Sequence, residues 1–272
     1  MTDTILMCEP KYFAVSYEIN PWMSGNIGSV DKSLATRQWN CLAEEIAKRA
    51  NIKLVEPVDE LPDMVFTANA AYVFDDKNVK YAITSTFRNV QRKGEEAHFE
   101  KWFANNGFTT IIPPSPLTFE GAGDCLTGED DMAWVGHGFR STQGAGTFVT
   151  STLHQHQMST NLLELTDARF YHLDTCFCPI NNGFVLYFPK AFSEQSQNKI
   201  VSYYNGHSIP VTEEDATMFA CNAVNIGNTI ILNKASDNLK NRLNNIGFKV
   251  IEVDLSEFMK SGGAAKCLTL KL

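Results

Sequence analysis

Cys267 stands in GGAAKCLTL, preceded by small residues and a lysine and followed by an alternating Leu/Thr/Leu run. That pattern suits a nucleophile at the mouth of a short buried strand. A thiol reacts as its thiolate, so it needs a neighbouring base or positive charge; Lys266 and His172 could supply it. His172, in YHLDTCF, lies two residues before Asp174, a spacing that suits a general acid/base with a nearby carboxylate. Glu120 lies in FEGAGD, where Gly121 and Gly123 permit a sharp turn and the close approach of a ligand. Each of these residues has an ordinary reading. Cysteines are commonly buried core, as expected for Cys8, Cys41, Cys125 and Cys221. A histidine beside apolar residues is usually a satisfied core group, and a carboxylate in a tight turn is usually a turn or cap device.

What lifts them above that reading is spacing. One polar residue follows each of five similar units, namely Asn69, Glu120, His172, Asn222 and Cys267, separated by 51, 52, 50 and 45 positions. The units read as helix, turn and strand. Residues 34–50 place Ala35, Trp39, Leu42, Ala43, Ile46 and Ala50 at helical spacing before a strand at 52–55. Phe99, Trp102 and Phe103 lead through Gly107 into a strand at 109–112, and Leu239, Leu243 and Ile246 lead through Gly247 into one at 249–253. Each glycine falls where a left-handed helix cap is wanted. Vaguer copies occupy 153–165, and 193–204 with a strand at 208–211. A fixed period of this size marks a repeat architecture whose equivalent loops fall on one face.

Composition narrows the class. The chain has 272 residues, enough for a sizeable core, and a formal charge of −8, which argues against nucleic acid or an anionic membrane as partner. No apolar run approaches a membrane span. Seven cysteines without framework spacing read as reduced thiols, hence a cytoplasmic protein. Cys176 and Cys178 are too close for a zinc knuckle, and no metal is expected. GHGFRSTQGAG at 136–146 has four glycines without phosphate-binding spacing, and His154 and His156 read as solvated.

Together the stretches PDMVFTAN, FEGAGD, HLDTCF and GGAAKC resemble the motif series of the guanidino-group-modifying enzymes: arginine deiminases, dimethylarginine hydrolases and amidinotransferases. INPWM, ACNAVN and GGAAKCLTL bring the resemblance closest to the arginine dihydrolases, over essentially the whole chain. The resemblance implies an α/β fold, the five-bladed pseudo-symmetric α/β propeller of the pentein type, as a single catalytic domain over 1–272. It implies Cys267 as nucleophile, His172 as general acid/base and Glu120 as a carboxylate bonded to the guanidinium. Asp174 matches a second carboxylate on the guanidinium nitrogens, and two carboxylates suit a planar cation with five N–H donors. Arg92 and Arg140 match positions that grip the substrate carboxylate, with Arg88 competing with Arg92. Asn20 belongs to a loop over the pocket.

Deiminases commonly carry FTRD where this chain has FTAN, so Asn69 replaces an aspartate. A neutral amide there suits a ureido group, which points to hydrolysis of L-arginine through to ornithine, ammonia and carbon dioxide, with no cofactor. The implied partner is a small guanidino substrate; a homo-oligomer stays open. The alternatives are a deiminase or dimethylarginine hydrolase, amidino transfer to an amine, and a non-catalytic propeller used as a binding module.

Overall fold

The computed structural model describes residues 2–272. Its strands form five three-stranded sheets of one repeated plan. In the second sheet, β3 (Ala71–Asp76) and β4 (Val79–Thr84) pair antiparallel; the helix Lys93–Asn105 then crosses over so that β5 (Phe108–Ile111) pairs parallel to β4. The plan recurs in β6 (Cys125–Thr127), β7 (Ala133–His137) and β8 (Thr160–Glu164), and in β9 (Phe177–Ile180), β10 (Phe184–Tyr187) and β11 (Ser208–Pro210). It recurs again in β12 (Val224–Ile226), β13 (Thr229–Leu232) and β14 (Lys249–Glu252).

The remaining sheet closes the ring. β1 (Thr4–Cys8) runs parallel to β2 (Asn51–Val55) across the helix Lys32–Ala47, and β15 (Leu270–Lys271) supplies the antiparallel strand, with Ile5 opposite Lys271. The strand that follows Cys267 is thereby locked beside the first strand of the chain.

All five expected helix-turn-strand units are present. Side-chain caps start four of the crossover helices: Asp31, Thr142, Ser193 and Ser236 each accept from a backbone N–H three residues on. Gly107 and Gly247 end two of them at φ 82° and 95°, the left-handed conformation expected. One unit differs from expectation. Its helix is Gln143–Gln155, which begins inside the stretch read as a glycine loop, and its strand is Thr160–Glu164. A Cβ on Gly146 would come within 2.5 Å of Leu162, so this glycine serves close helix-to-strand packing.

The helices bury one face against the sheets. Ala35, Trp39, Leu42 and Ile46 join Ile5, Met7 and Phe258 in one core cluster, and Phe99 and Phe103 join Leu6, Ala82 and Phe108 in another. Each large side chain so buried contributes roughly 1.5–3 kcal/mol. No helix among the described residues is long and apolar enough to cross a membrane.

Candidate active site

The five periodic polar residues sit in the turns that enter the inner strands β3, β6, β9, β12 and β15. All five are buried: Asn69, His172 and Cys267 are 2% exposed, and Glu120 and Asn222 are 0% exposed. A ring of five such turns brings residues about fifty positions apart in sequence to one centre.

Cys267 is held from two directions. Asn222 accepts from the backbone N–H groups of Ala264 and Cys267 on Oδ1, both at 3.1 Å, and donates from Nδ2 to the Cys267 sulfur at 3.1 Å. The Cys267 thiol in turn donates to Asp174 Oδ2 at 3.3 Å. Burial, and then the Asp174 carboxylate, pushes the Cys267 thiol well above its usual range. Burial also raises the Asp174 carboxyl, to about 6.

His172 bonds through Nε2 to Glu120 Oε2 at 2.7 Å, and Arg140 Nη1 donates to the same oxygen at 3.0 Å. The Arg88 backbone N–H donates to Glu120 Oε1 at 3.3 Å. Burial would raise the Glu120 carboxyl, but Arg140 and His172 outweigh it and hold it well below the usual carboxylate range. Ser141 ties the turn down: its Oγ accepts from the Glu120 N–H at 3.0 Å and donates to Asp124 at 2.6 Å. Asp124 also accepts from the Leu173 N–H at 3.0 Å, which fixes the turn after His172.

Asn69 is oriented by its neighbours. Its Oδ1 accepts from Arg92 Nη1 at 2.8 Å, and its Nδ2 donates to the Glu120 carbonyl at 3.3 Å. The glycines of FEGAGD allow close packing against the turn of the neighbouring blade. A Cβ on Gly123 would stand 2.3 Å from Asn69 Nδ2 and 3.3 Å from the His172 ring, and one on Gly121 would stand 2.8 Å from the Ala71 nitrogen.

A small cavity of about 10 Å³ lies at the centre, lined by Asp63, Asn69, Arg92, Arg140, Tyr171, His172 and Cys267. The segment over it contributes Ile19, Asn20 and Met23. Asn20 Nδ2 donates to the Ser261 carbonyl at 3.0 Å, Trp22 Nε1 donates to the Arg169 carbonyl at 2.7 Å, and Arg140 Nη2 donates to the Ile19 carbonyl at 3.0 Å. Asn20 thus lies in the segment over the cavity. A space of this size holds about a single water, so a larger guest requires this segment to move.

Not every expected residue borders this small cavity. Glu120 and Asp174 do not line the cavity; Glu120 lies behind His172 and Arg140, and Asp174 lies behind the Cys267 thiol. The carboxylate that faces the cavity is Asp63, which accepts from Tyr17 Oη at 2.8 Å and Ser261 Oγ at 3.3 Å. Arg92 lines the cavity but is already engaged: its Nε and Nη2 bind Glu95 at 2.8 and 2.7 Å, and both residues are buried. With Glu95 as its counter-charge and four of its five N–H donors engaged, this guanidinium positions Asn69. Lys266 faces away, into a different cavity from Cys267. His156 is half-buried, bonded to Asp76 at 2.7 Å and packed on Phe74 and Tyr81, so it is not simply solvated; Cys41 is exposed rather than core.

Asp63 and Asn222 received no role from sequence reasoning, although Asp63 lies in PDMVFTAN and Asn222 kept the period. Their burial, at 2% and 0% exposed, is the signal that sequence could not provide.

The model of the family described as "N,N dimethylarginine dimethylhydrolase, eukaryotic" matches residues 10–272. The chain belongs to the dimethylarginine dimethylhydrolase family. The chain is also 45% identical, over all of its length, to the bifunctional arginine dihydrolase/ornithine cyclodeaminase AgrE of Nostoc sp., of which it covers 38%. It is 36% identical to the N(G),N(G)-dimethylarginine dimethylaminohydrolase of Mycobacterium tuberculosis, over all of this chain and 86% of that protein. It spans under two fifths of the length of the bifunctional relatives it matches. Among solved structures it is similar to the N-terminal domain of ArgZ, an arginine dihydrolase from cyanobacteria, in a cysteine-to-serine mutant bound to substrate. The TM-score there is 0.95 at 45% identity, covering 99% of this chain and 97% of that one. A dimethylarginine dimethylaminohydrolase at 21% identity and TM-score 0.83 shares the fold. The five-bladed pentein architecture and the membership of the guanidino-modifying enzymes stand as expected.

Proposed function

We propose that this family member hydrolyses L-arginine, with two waters, to ornithine, two ammonia and carbon dioxide. The observation that carries this reading is the lining of the cavity, where one carboxylate, Asp63, and the neutral amide Asn69 share the space with Cys267. A single carboxylate offsets a guanidinium cation, and an amide whose Nδ2 is a donor tolerates the neutral ureido carbon that a second round of hydrolysis must process. The similarity to the ArgZ domain bound to substrate supports the same reading.

In this reading Cys267 attacks the guanidinium carbon, and His172, anchored by Glu120, protonates the departing ammonia. His172 then takes a proton from the water that attacks the planar thiouronium adduct, and the C–S bond breaks to return the Cys267 sulfur and leave citrulline. A second attack of Cys267 on the ureido carbon expels the second ammonia, and water cleaves the thiocarbamate to a carbamate that splits into ornithine and carbon dioxide. Asn222 and Asp174 position the sulfur, Arg92 positions Asn69, and Asp63 and Asn69 grip the guanidinium. The cations for the substrate carboxylate in this reading are Arg140, which lines the cavity with its guanidinium on Glu120, and Arg88, whose backbone N–H alone bonds Glu120. In this reading these residues belong to one catalytic domain over 1–272, in which β1 and β15 pair. The seven unpaired thiols agree with a cytoplasmic location.

The family model and the Mycobacterium tuberculosis relative favour a second reading, hydrolysis of dimethylarginine to citrulline and dimethylamine. One assay separates the two. The purified chain is incubated with L-arginine or dimethylarginine while ornithine, citrulline, ammonia and dimethylamine are quantified, with Cys267→Ser as control. Ornithine with about two ammonia per arginine, absent in the control, is expected. Citrulline with a single ammonia moves the chain to the deiminases, and turnover of dimethylarginine alone establishes the second reading. Inertness toward both leaves a binding module.

A further inference from the structure

A second cavity, of about 770 Å³, opens where the five inner strands continue past the active-site turns; β3, β6, β9, β12 and β15 all contribute to its wall. Adjacent residues face opposite ways here, Cys267 into the small active-site cavity and Lys266 into the large one. Nothing in the reaction described above uses Lys266.

Its surroundings leave its charge unanswered. Lys266 Nζ has one hydrogen-bond partner, the Thr269 carbonyl at 3.4 Å, and among the described residues no carboxylate lies within ion-pair distance. The cavity's other lysine, Lys271, is paired with Asp3 at 3.0 Å. Burial holds the Lys266 ammonium below its usual range, while Asp174, Cys267 and Cys178 pull the other way. A half-buried ammonium with one long hydrogen bond and no ion-pair partner is short of acceptors, and an anion that accepts its hydrogen bonds supplies them.

The wall indicates which anion. Ala122, Phe177, Ala223 and Leu270 give it buried apolar surface, whereas the carboxylates that line it, Asp75, Glu129 and Asp131, are exposed. Exposed acidic groups disfavour polyanions such as phosphates, and the apolar surface rewards a hydrocarbon body. A cavity of this volume is in the range that holds small organic ligands.

We propose that this cavity is a binding site for a small monocarboxylic acid with an apolar body, its carboxylate on Lys266 and its hydrocarbon against Phe177 and Leu270. The site is separate from the reaction centre and independent of which guanidino substrate that centre takes.

The test uses the full chain with carbon-13-labelled lysine and 4-methylpentanoate as probe. Saturable shifts of the Lys266 Cε and Hε signals are expected on titration. In calorimetry, Lys266→Met is expected to weaken the probe about tenfold or more, with Lys266→Arg close to wild type, as the loss of a charge-assisted contact requires. The isosteric alcohol 4-methylpentan-1-ol is expected to bind at least about tenfold more weakly than the acid. Lys266 signals that stay still, or that move equally with sodium chloride or the alcohol, overturn the proposal. So does a Lys266→Met variant that binds the acid as tightly as wild type, which would place the carboxylate elsewhere, for instance on Arg140. If Lys266→Met fails to fold, the acid-against-alcohol comparison at the wild-type Lys266 signals decides.

Discussion

Asn222 grips Cys267 at both ends, donating to its sulfur and accepting from its backbone N–H, each at 3.1 Å. One asparagine therefore fixes where the sulfur sits and how the chain turns into β15. Asn222→Ala leaves the N–H groups of Ala264 and Cys267 buried without their acceptor. The expected cost is on the order of 2 kcal/mol of stability, read from urea unfolding. Turnover is expected to fall further than that loss of folded protein explains. Unchanged turnover per folded molecule would show that the grip does not matter to the reaction.

Asp174 makes stability depend on pH with a definite sign. Its carboxyl is raised in the fold from 3.8 to about 6, and its Oδ1 has no hydrogen-bond partner. A raised acid contributes stability that is fully present below its unfolded value and is lost as pH rises through the folded one. Between about pH 4 and pH 6 the wild type should therefore lose on the order of 3 kcal/mol through this group. Asp174→Asn should flatten that slope and be the more stable protein at pH 7, as measured by urea unfolding across the range. A parallel slope in the variant would refute the assignment.

The same pair sets the reactivity of the ligand-free thiol. Burial and Asp174 together hold Cys267 protonated at neutral pH. Iodoacetamide at pH 7 is expected to label the exposed Cys41 first, with Cys267 reacting slowly and faster above about pH 9. Asp174→Asn should speed labelling of Cys267 at fixed pH. Peptide mapping by mass spectrometry reads both, and rapid labelling of Cys267 at pH 7 would contradict this account.

Arg92 and Arg88 should fail in different ways. Arg92 and Glu95 form a buried pair joined by two hydrogen bonds, so Arg92→Met should cost about 3–5 kcal/mol by stranding Glu95. Arg88 is exposed, and Arg88→Met should leave unfolding nearly unchanged while raising KM for a substrate that carries a carboxylate. A raised KM without lost stability in Arg92→Met would restore Arg92 as the carboxylate clamp.

Gly123 offers a steric test of the contact between neighbouring blades. The Cβ of Gly123→Ala would fall 2.3 Å from Asn69 Nδ2, so the amide must move. Activity should drop at least about tenfold, with a loss of stability in the 1–3 kcal/mol range of overpacked sites. Wild-type kinetics in this variant would show that the position of the Asn69 amide is unimportant.

The sequence by itself determined the repeat, most of the crossover units and the five polar residues that keep its period. Those features are carried by local signals: apolar spacing along Ala35, Trp39, Leu42 and Ile46, the cap glycines Gly107 and Gly247, and a polar residue about every fifty positions. Each acts within one or two turns of chain, so each can be read without the rest. Only the tertiary structure decided which side chains face the cavity. Asp63 faces it and Asp174 does not; Arg92 spends its charge on Glu95; Lys266 points away from the residue beside it. The helix Gln143–Gln155 was hidden for a related reason, since its glycines answer to Leu162 in a neighbouring strand. Orientation within a turn is set by contacts from other blades, such as Asn222 on Cys267 and Gly123 on Asn69, and those partners meet only when the ring closes.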